Sequence, residues 1–112
     1  MGRNTADFYD GAKHIPTDDY VGYLPYGSGE SLSKPSVSKS IPIDSLMSTQ
    51  PYVVQSTVNN MVEDKHFDEP IQVIEHEDGD GYYIYDGHHR VQAAKEAGLT
   101  HVPAKVYPHW NK

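Results

Sequence analysis

The segment YYIYDGHHRVQAAKEAGLTHVPAKV, Tyr82–Val106, decides the fold because it contains a strand, a tight turn, a helix and a second strand in succession. Its aromatic and β-branched start is typical of a strand. Gly87 then permits a tight turn. The alanine-rich run that follows predicts a helix with Val91 and Ala94 facing inward. Residues Val102–Tyr107 predict the last strand.

Upstream patterns predict the rest of a small domain. Apolar side chains alternate with polar ones at residues 40–46 and again at residues 69–77, after Pro70, as in strands. They recur at helical spacing over residues 56–66, with Ser56 or Thr57 as the N-cap. The turn EDGDG joins the second of these strands to YYIYD. The prediction is an α+β domain over residues 40–112, with a mixed sheet and two main helices.

Residues 1–39 predict an extended, irregular N-terminal arm. The stretch GSGESLSKPSVSKS, Gly27–Ser40, has the Ser/Gly/Pro-rich composition of a linker that does not order itself. Tyr20, Tyr23 and Tyr26 recur every three residues before it. Two readings stay open for this tyrosine-rich part: a surface coil, or an arm that docks on this domain, on another copy or on a partner protein.

Composition restricts the function. The net charge of -7 argues against a general nucleic-acid binder, since cations supply most non-specific affinity for phosphates. Residues 1–85 carry 5 Lys/Arg against 14 Asp/Glu, whereas residues 86–112 carry 4 against 2 and four of the seven histidines. Cysteine is absent, which excludes disulfides, thiolate zinc sites and cysteine nucleophiles. No stretch approaches the roughly 20 apolar residues of a membrane span, so a cytoplasmic protein without a membrane partner is expected.

The five residues DGHHR, 86–90, suit an anion. A helix that starts directly after Gly87 leaves its first backbone N–H groups unpaired, at the positive end of the helix dipole. Arg90, one turn in, can hold a phosphate with its two-pronged guanidinium group. His88 and His89 add further donors. A phosphate or another oxyanion is the expected ligand.

Two other readings of DGHHR compete with this one. In a purely structural reading, Asp86 caps the helix, the histidines are partly exposed, and Arg90 pairs with an acidic neighbour. In a metal reading, Asp86 and a histidine bind a divalent ion. No H-E-x-x-H or H-x-x-E-H spacing exists, so a site made by protein ligands alone is not expected. A Mg²⁺ ion shared between Asp86 and a bound nucleotide fits better, because Mg²⁺ takes carboxylate and phosphate oxygens.

Four motifs in order, IPIDSL, EPIQVIE, YYIYDGHHRVQAAKEAG and VPAKV, resemble the ParB/sulfiredoxin superfamily from about Ser40 to Pro108. The resemblance implies that residues Gly87 to Arg90 form a loop for nucleotide phosphates. It also implies an acidic base or metal ligand near the P-I-x-V strand that begins at Pro70, where Asp68 and Glu69 stand, and it places Gln50 near a substrate.

The superfamily contains several activities, and the sequence excludes some of them. Sulfiredoxin needs a cysteine in the loop, whereas residue 88 is histidine. Partition clamps carry a Glu-Arg-Arg type loop, a second phosphate motif and a helix-turn-helix, and this sequence shows none of the three. ParB-like nucleases and small-molecule kinases often have turns like Asp-Gly-His-x-Arg, and so do short phage-encoded members.

The sequence therefore predicts a ParB-like domain that binds a phosphate group of a nucleotide or nucleic acid, with nuclease or NTP-dependent phosphoryl-transfer activity left open. The alternative is a non-catalytic assembly protein, such as a virion component encoded by a phage, that docks through residues 1–39. The phosphate-binding residues are predicted to be Gly87, His88, His89 and Arg90, the catalytic ones His88, His89, Glu69 and Asp86, and the Mg²⁺ ligand Asp86.

Overall fold

The computed structural model describes residues 13–22, 24–65 and 69–111, so the predictions for Tyr23, Asp68 and the first twelve residues of the arm lie outside the described residues. None of the helices in these ranges is long and apolar enough to cross a membrane. In chain order the elements are β1 (His14–Pro16), α1 (Ser28–Leu32), β2 (Val37–Pro42), a 3-10 helix (Ile43–Ser45), β3 (Leu46–Met47), β4 (Tyr52–Val54), α2 (Gln55–Asp64), β5 (Ile71–Glu75), β6 (Tyr82–Asp86), α3 (His88–Glu96) and β7 (His101–Tyr107).

Five strands form one mixed sheet in the order β2-β7-β5-β6-β3. The β5–β6 hairpin is antiparallel, as the EDGDG turn predicts, and β7 runs parallel to β5. The chain reaches β7 from β6 through α3, which crosses over the sheet. This connection brings the start of α3 to the edge where β6 ends.

The core has two parts. The main cluster lies between the sheet and α3, and Val91 and Ala94 face it as predicted. Ile71, Val73 and Ile84 from the central strands are almost fully buried there. A smaller cluster joins α2, α3 and β4. The prediction of a small α+β domain with a mixed sheet and two main helices is confirmed.

Several local predictions need correction. The predicted strand over residues 40–46 is interrupted by the 3-10 helix. Helix α2 begins at Gln55, with Val54 as its N-cap and no side-chain cap, so Ser56 and Thr57 lie inside it. The chain enters the helix directly from β4, and the Gln55 N–H donates to the Lys13 carbonyl oxygen of the arm at 2.7 Å, so a backbone group satisfies this donor.

The linker prediction for Gly27–Ser40 was wrong, because this stretch contains α1 and most of β2. Contacts with residues that are distant in the sequence order this stretch. Ser28 and Ser31 are buried, and a Cβ atom at Gly27 would lie 2.7 Å from the indole of Trp110. Composition reports only local tendencies, so it did not predict this packing against the C-terminal residues.

Residues 13–22 of the arm dock on the domain of the same chain. β1 pairs with β4 in an antiparallel two-stranded sheet. Next to it, the Thr17 hydroxyl donates a hydrogen bond of 2.6 Å to the Gln50 carbonyl oxygen. Asp18 forms an ion pair with Lys95 on α3. Residues 13–22 therefore pack on their own domain, whereas Tyr26, later in the tyrosine-rich stretch, is almost fully exposed, as in the surface-coil reading. Binding of a partner or a second copy stays a prediction.

Candidate phosphate-binding site

The turn between β6 and α3 depends on glycine for two reasons. Gly87 is the N-cap of α3 and has φ 117, a left-handed conformation that other residues rarely adopt. A Cβ atom built on Gly87 would also lie 2.5 Å from Ile71 Cγ2, well inside van der Waals contact. The turn is therefore held tightly against β5, and the helix starts at the surface of the sheet.

The backbone N–H groups of the first turn of α3 point away from the body of the helix, at its N-terminal end. The Val91 N–H closes the first helical hydrogen bond, to the Gly87 carbonyl oxygen at 2.9 Å. The N–H groups of residues 88–90 precede it and have no partner within the helix. No side chain caps this end, so Asp86 does not play the capping role of the purely structural reading. Together with the helix dipole, these donors form an anion-binding geometry.

Arg90 stands one turn into the helix with one donor unsatisfied. Its Nη1 donates to the Pro70 carbonyl oxygen at 3.2 Å. Its Nε is buried without a hydrogen-bond partner among the described residues. An unpaired buried N–H group costs about 1–3 kcal/mol, so an acceptor that reached this side of the guanidinium group would be favoured.

Glu69 lies beside Arg90, at the place where the family resemblance implies an acidic residue next to the P-I-x-V strand. Its Oε1 is 3.5 Å from Arg90 Nη2, at the outer limit of a hydrogen bond, and its side chain is 69% exposed. A pair this long and this exposed to water contributes little stability. Glu69 can therefore swing aside at small cost.

His88 connects the turn to the segment before β4. It is only 7% exposed, and its Nε2 accepts a hydrogen bond of 3.0 Å from the Thr49 N–H. Burial lowers the pKa of His88 to about 4; the neighbouring His89 adds to the decrease, and the Asp86 carboxylate opposes it. His88 is therefore a neutral imidazole near pH 7, with its proton on Nδ1.

His89 makes the equivalent contact one residue further on. Its Nε2 accepts a hydrogen bond of 3.0 Å from the Val54 N–H, at the end of β4. Partial burial lowers its pKa as well. The two imidazoles thus hold the segment that faces the turn, which positions the site. Their predicted catalytic roles stay predictions.

Asp86 is exposed at the end of β6 and is free to face solvent. In the described part of the chain, no group of three or more His, Asp or Glu side chains is arranged to hold a metal ion. A single exposed carboxylate next to the turn does fit a Mg²⁺ ion whose other ligands come from phosphates and water. Asp86 would then supply the protein ligand.

Thr49 belongs to the site, although no motif in the sequence singles it out. Besides its N–H bond to His88, its hydroxyl donates to the Ile84 carbonyl oxygen at 2.7 Å, so it joins β6 and α3. A threonine in a loop is too common to stand out. Gln50, selected through the family resemblance, follows it and donates from Nε2 to the Tyr52 carbonyl oxygen.

The fold and this turn define a class of protein. The profile of the ParB N-terminal domain family matches residues 28–110 of the chain. The match covers most of the sequence, and the protein belongs to this family. No curated protein is similar enough to count as a match.

Solved structures with the same fold include three proteins of different activities. Sulfiredoxin from Arabidopsis thaliana is 22% identical with a TM-score of 0.53, and the match covers 64% of this chain and 85% of that one. A mutant free serine kinase in complex with AMP is 25% identical with a TM-score of 0.57, and the match covers 65% and 32%. C-terminally truncated ParB from Caulobacter crescentus, complexed with CTP-gamma-S, is 28% identical with a TM-score of 0.53, and the match covers 64% and 44%.

The length of the match differs among these structures. This chain spans about a third of the kinase chain and less than half of the ParB chain, but most of sulfiredoxin. The similarity therefore concerns only a part of the kinase chain and of the ParB chain.

Proposed function

We propose that this protein binds a nucleotide through its phosphate groups at the turn Gly87–Arg90. The observation that carries the proposal is the start of α3, where three consecutive backbone N–H groups have no helical partners and the third belongs to Arg90, whose guanidinium group is held by the Pro70 carbonyl oxygen. A phosphate would accept hydrogen bonds from both. The Arg90 Nε supports the same ligand, since no group in residues 13–22, 24–65 or 69–111 accepts a hydrogen bond from it.

Two related structures support a nucleotide as the source of the phosphate. The free serine kinase holds AMP, and the Caulobacter crescentus ParB holds CTP-gamma-S. A second ParB structure contains centromeric parS DNA and is 27% identical over 61% of this chain. We favour a free nucleotide over DNA for this chain because its net charge of -7 repels a polyanion, whereas a mononucleotide needs only a local site.

The weak contact between Glu69 and Arg90 supports the exchange that binding requires. A phosphate carries more charge than a carboxylate and accepts several hydrogen bonds at once. It would replace Glu69 at the outer face of the guanidinium group, and the bond from Arg90 to Pro70 would keep the side chain in position. Glu69 would then lie close to the phosphate, where a general base is useful.

Magnesium would accompany the nucleotide, with Asp86 as its protein ligand. When bound, the ion neutralises phosphate charge and orients the phosphate oxygens. Asp86 adds a negative charge next to the turn, so without a cation it repels the ligand. The binding of nucleotide and Mg²⁺ is therefore expected to be mutually reinforcing.

Turnover is a further prediction, with phosphoryl transfer or nucleic-acid cleavage as the two reactions. Glu69 is the best-placed base because it is exposed and lies beside Arg90. His88 and His89 use Nε2 to hold backbone N–H groups, which favours a positioning role for both.

Incubation of supercoiled plasmid with the protein and Mg²⁺ or Mn²⁺ tests cleavage, and Glu69→Gln, which keeps the shape of the side chain, is the matched variant. Loss of nicking in that variant would support the assignment; equal nicking would contradict it.

Isothermal titration calorimetry with AMP, ADP, ATP, CTP and GTP, each with Mg²⁺, tests the binding proposal. At least one nucleotide is expected to bind, and Arg90→Ala is expected to weaken it by tenfold or more, since a hydrogen-bonded charge pair contributes about 1.5–3 kcal/mol. Lys39→Ala is the control, because it removes one positive charge on β2 and leaves the turn intact. No heat from any nucleotide, or equal weakening by the two variants, would contradict the proposal.

A further inference from the structure

Residues 48–55, which we call the bridging segment, contact the arm on one side and the turn before α3 on the other. Neighbouring N–H groups of this segment donate in opposite directions. The Ser48 N–H donates to the Asp19 carbonyl oxygen at 3.1 Å, whereas the next N–H, that of Thr49, donates to His88 Nε2 at 3.0 Å. Successive N–H groups of an extended chain point to opposite sides, so the arm and the turn share one backbone between them.

The same alternation recurs at the other end of the bridging segment. The Val54 N–H donates to His89 Nε2 at 3.0 Å, and the next N–H, that of Gln55, donates to the Lys13 carbonyl oxygen at 2.7 Å. Both imidazoles of the turn are therefore bonded to backbone groups whose immediate neighbours are bonded to the arm. A displacement of the arm would reach the turn through adjacent residues at each end of the segment.

Further contacts hold the arm between these two ends. The Thr17 N–H donates to the Pro51 carbonyl oxygen at 3.0 Å. The partly buried side chain of Ile15 packs against a small apolar cluster that includes Ala93 of α3. The arm thus contacts both the bridging segment and the helix whose first turn is the candidate site.

The contacts of the two imidazoles affect the anion site because His88 and His89 are the first two residues of α3. Their backbone N–H groups are two of the three proposed phosphate donors. Side chains fixed at Nε2 restrict the conformations of this backbone, so less freedom is lost when a phosphate binds. Release of the bridging segment would also leave the acceptor of the buried His88 unpaired, which costs about 1–3 kcal/mol.

We propose that residues 13–21 are a positioning element of the anion site, so that docking of the arm and binding of a nucleotide at residues 87–90 reinforce each other. The inference rests on the proposed function and adds regulation of that site, since any event that releases the arm would lower the affinity for the nucleotide. Linkage makes the coupling reciprocal, so a bound nucleotide stabilises the docked arm by the same factor.

Calorimetric titration of Ile15→Asn tests the effect of the arm on the site. Asparagine places a polar group against the apolar cluster without a change of net charge, so the docked arm is destabilised. A nucleotide that binds the parent is expected to bind at least fivefold more weakly. Ile15→Val, which keeps the apolar contact, should bind like the parent, and so should the control Val37→Asn, a similar change at an exposed residue of β2.

The outcomes of this titration separate the two proposals. Equal affinities of the parent and Ile15→Asn, or equal weakening by Val37→Asn, would overturn the coupling and leave the proposed function standing. No binding by the parent would contradict the proposed function itself.

Amide exchange measured by NMR in the parent protein tests the reverse effect and does not depend on the folding of a variant. A saturating nucleotide should slow exchange of the Thr17 and Val21 N–H groups, which bond to the bridging segment, at least threefold more than that of the Gly79 N–H in the hairpin turn. The matching nucleoside should not. Equal slowing at all three positions, or no slowing in the arm, would overturn the proposal.

The link between the arm and the imidazoles can be measured without a ligand. Exchange of the Thr49 and Val54 N–H groups, which bond to the two imidazoles, should be at least threefold faster in Ile15→Asn than in the parent, and unchanged in Val37→Asn. Unchanged exchange in Ile15→Asn would overturn the positioning role of the arm, whatever the outcome of the nucleotide titrations.

Discussion

The two ends of β6 carry the same dipeptide, Asp-Gly, in turns of opposite character. Before the strand, Asp78-Gly79 lies in the exposed hairpin turn, where a Cβ atom on Gly79 would meet nothing within 4 Å. After the strand, Gly87 follows Asp86 in a turn pressed against Ile71. Both glycines have positive φ, 77 and 117 respectively. The same dipeptide therefore has two different roles. Before β6 it only reverses the chain, whereas after β6 it also brings the start of α3 close to the sheet.

Histidines sharpen the difference between the turns. In the hairpin turn, His76 Nδ1 accepts from the Asp78 N–H at 3.1 Å, a contact two residues away at the surface. In the β6–α3 turn, His88 accepts from Thr49, 39 residues away, and is buried. Long-range contacts thus fix the second turn, and this preorganisation is what an anion site requires.

The largest expected effect comes from placing alanine in each turn. Gly87→Ala should lower the free energy of unfolding by about 3 kcal/mol or more, because the left-handed backbone costs about 1–2 kcal/mol and the overlap with Ile71 about 1–3 kcal/mol. Gly79→Ala should cost only about 1 kcal/mol, since the backbone term alone applies. Urea denaturation monitored by circular dichroism measures both. Equal losses would show that the two turns are under the same constraint.

The pH dependence of stability is expected to come next in size. The pKa of His88 is lowered in the folded protein to about 4, below the unfolded value, so the unfolded chain binds more protons between these two pKa values. Stability should therefore fall as the pH drops from about 6.5 towards 4, by an amount on the order of 2 kcal/mol. Urea denaturation at pH 7, 6 and 5 measures the upper part of this loss.

His88→Gln is the matched variant for that experiment. Its amide oxygen can still accept from Thr49, but it does not titrate. The variant should be less stable than the parent at pH 7, and its stability should depend less on pH between 7 and 5. An identical slope in parent and variant would contradict the assigned role of His88.

The smallest expected effect concerns the two aspartates. Asp86→Asn should reduce the enhancement of nucleotide binding by Mg²⁺ several-fold, because it removes the proposed protein ligand of the ion. Asp78→Asn removes the same charge from the hairpin turn and should leave the Mg²⁺ dependence unchanged. Calorimetric titrations with and without Mg²⁺ measure both. A similar change in the two variants would assign the effect to net charge alone.

Sequence reasoning could predict the β6–α3 turn because its signals are local. The aromatic strand, Gly87 and the alanine-rich helix each constrain their own backbone, and Val91 and Ala94 follow the helical period. The helix start itself pointed to Arg90, and the family resemblance added Glu69, whose Oε1 lies 3.5 Å from Arg90 Nη2.

The parts that could not be predicted depend on distant contacts. The pairing of β1 with β4 joins three-residue strands with no distinctive pattern. Helix α1 lies in a stretch whose composition is typical of a linker. Its N-cap, Gly27, packs against Trp110, near the other end of the chain. The role of His88 as a hydrogen-bond acceptor for Thr49 also depends on the tertiary fold. The two residues are far apart in the sequence, so no local pattern predicts their contact.

The central claim is that phosphate binds at the first turn of α3, and amide chemical shifts test it most directly. In ¹⁵N-labelled protein, a nucleotide that binds in the calorimetric titrations, AMP for example, should shift the backbone N–H signals of His88, His89 and Arg90 more than those of the hairpin turn at residues 76–81. The matching nucleoside, which lacks the phosphate, should leave these three signals in place. Equal shifts from nucleotide and nucleoside, or shifts that leave residues 88–90 unaffected, would contradict the account.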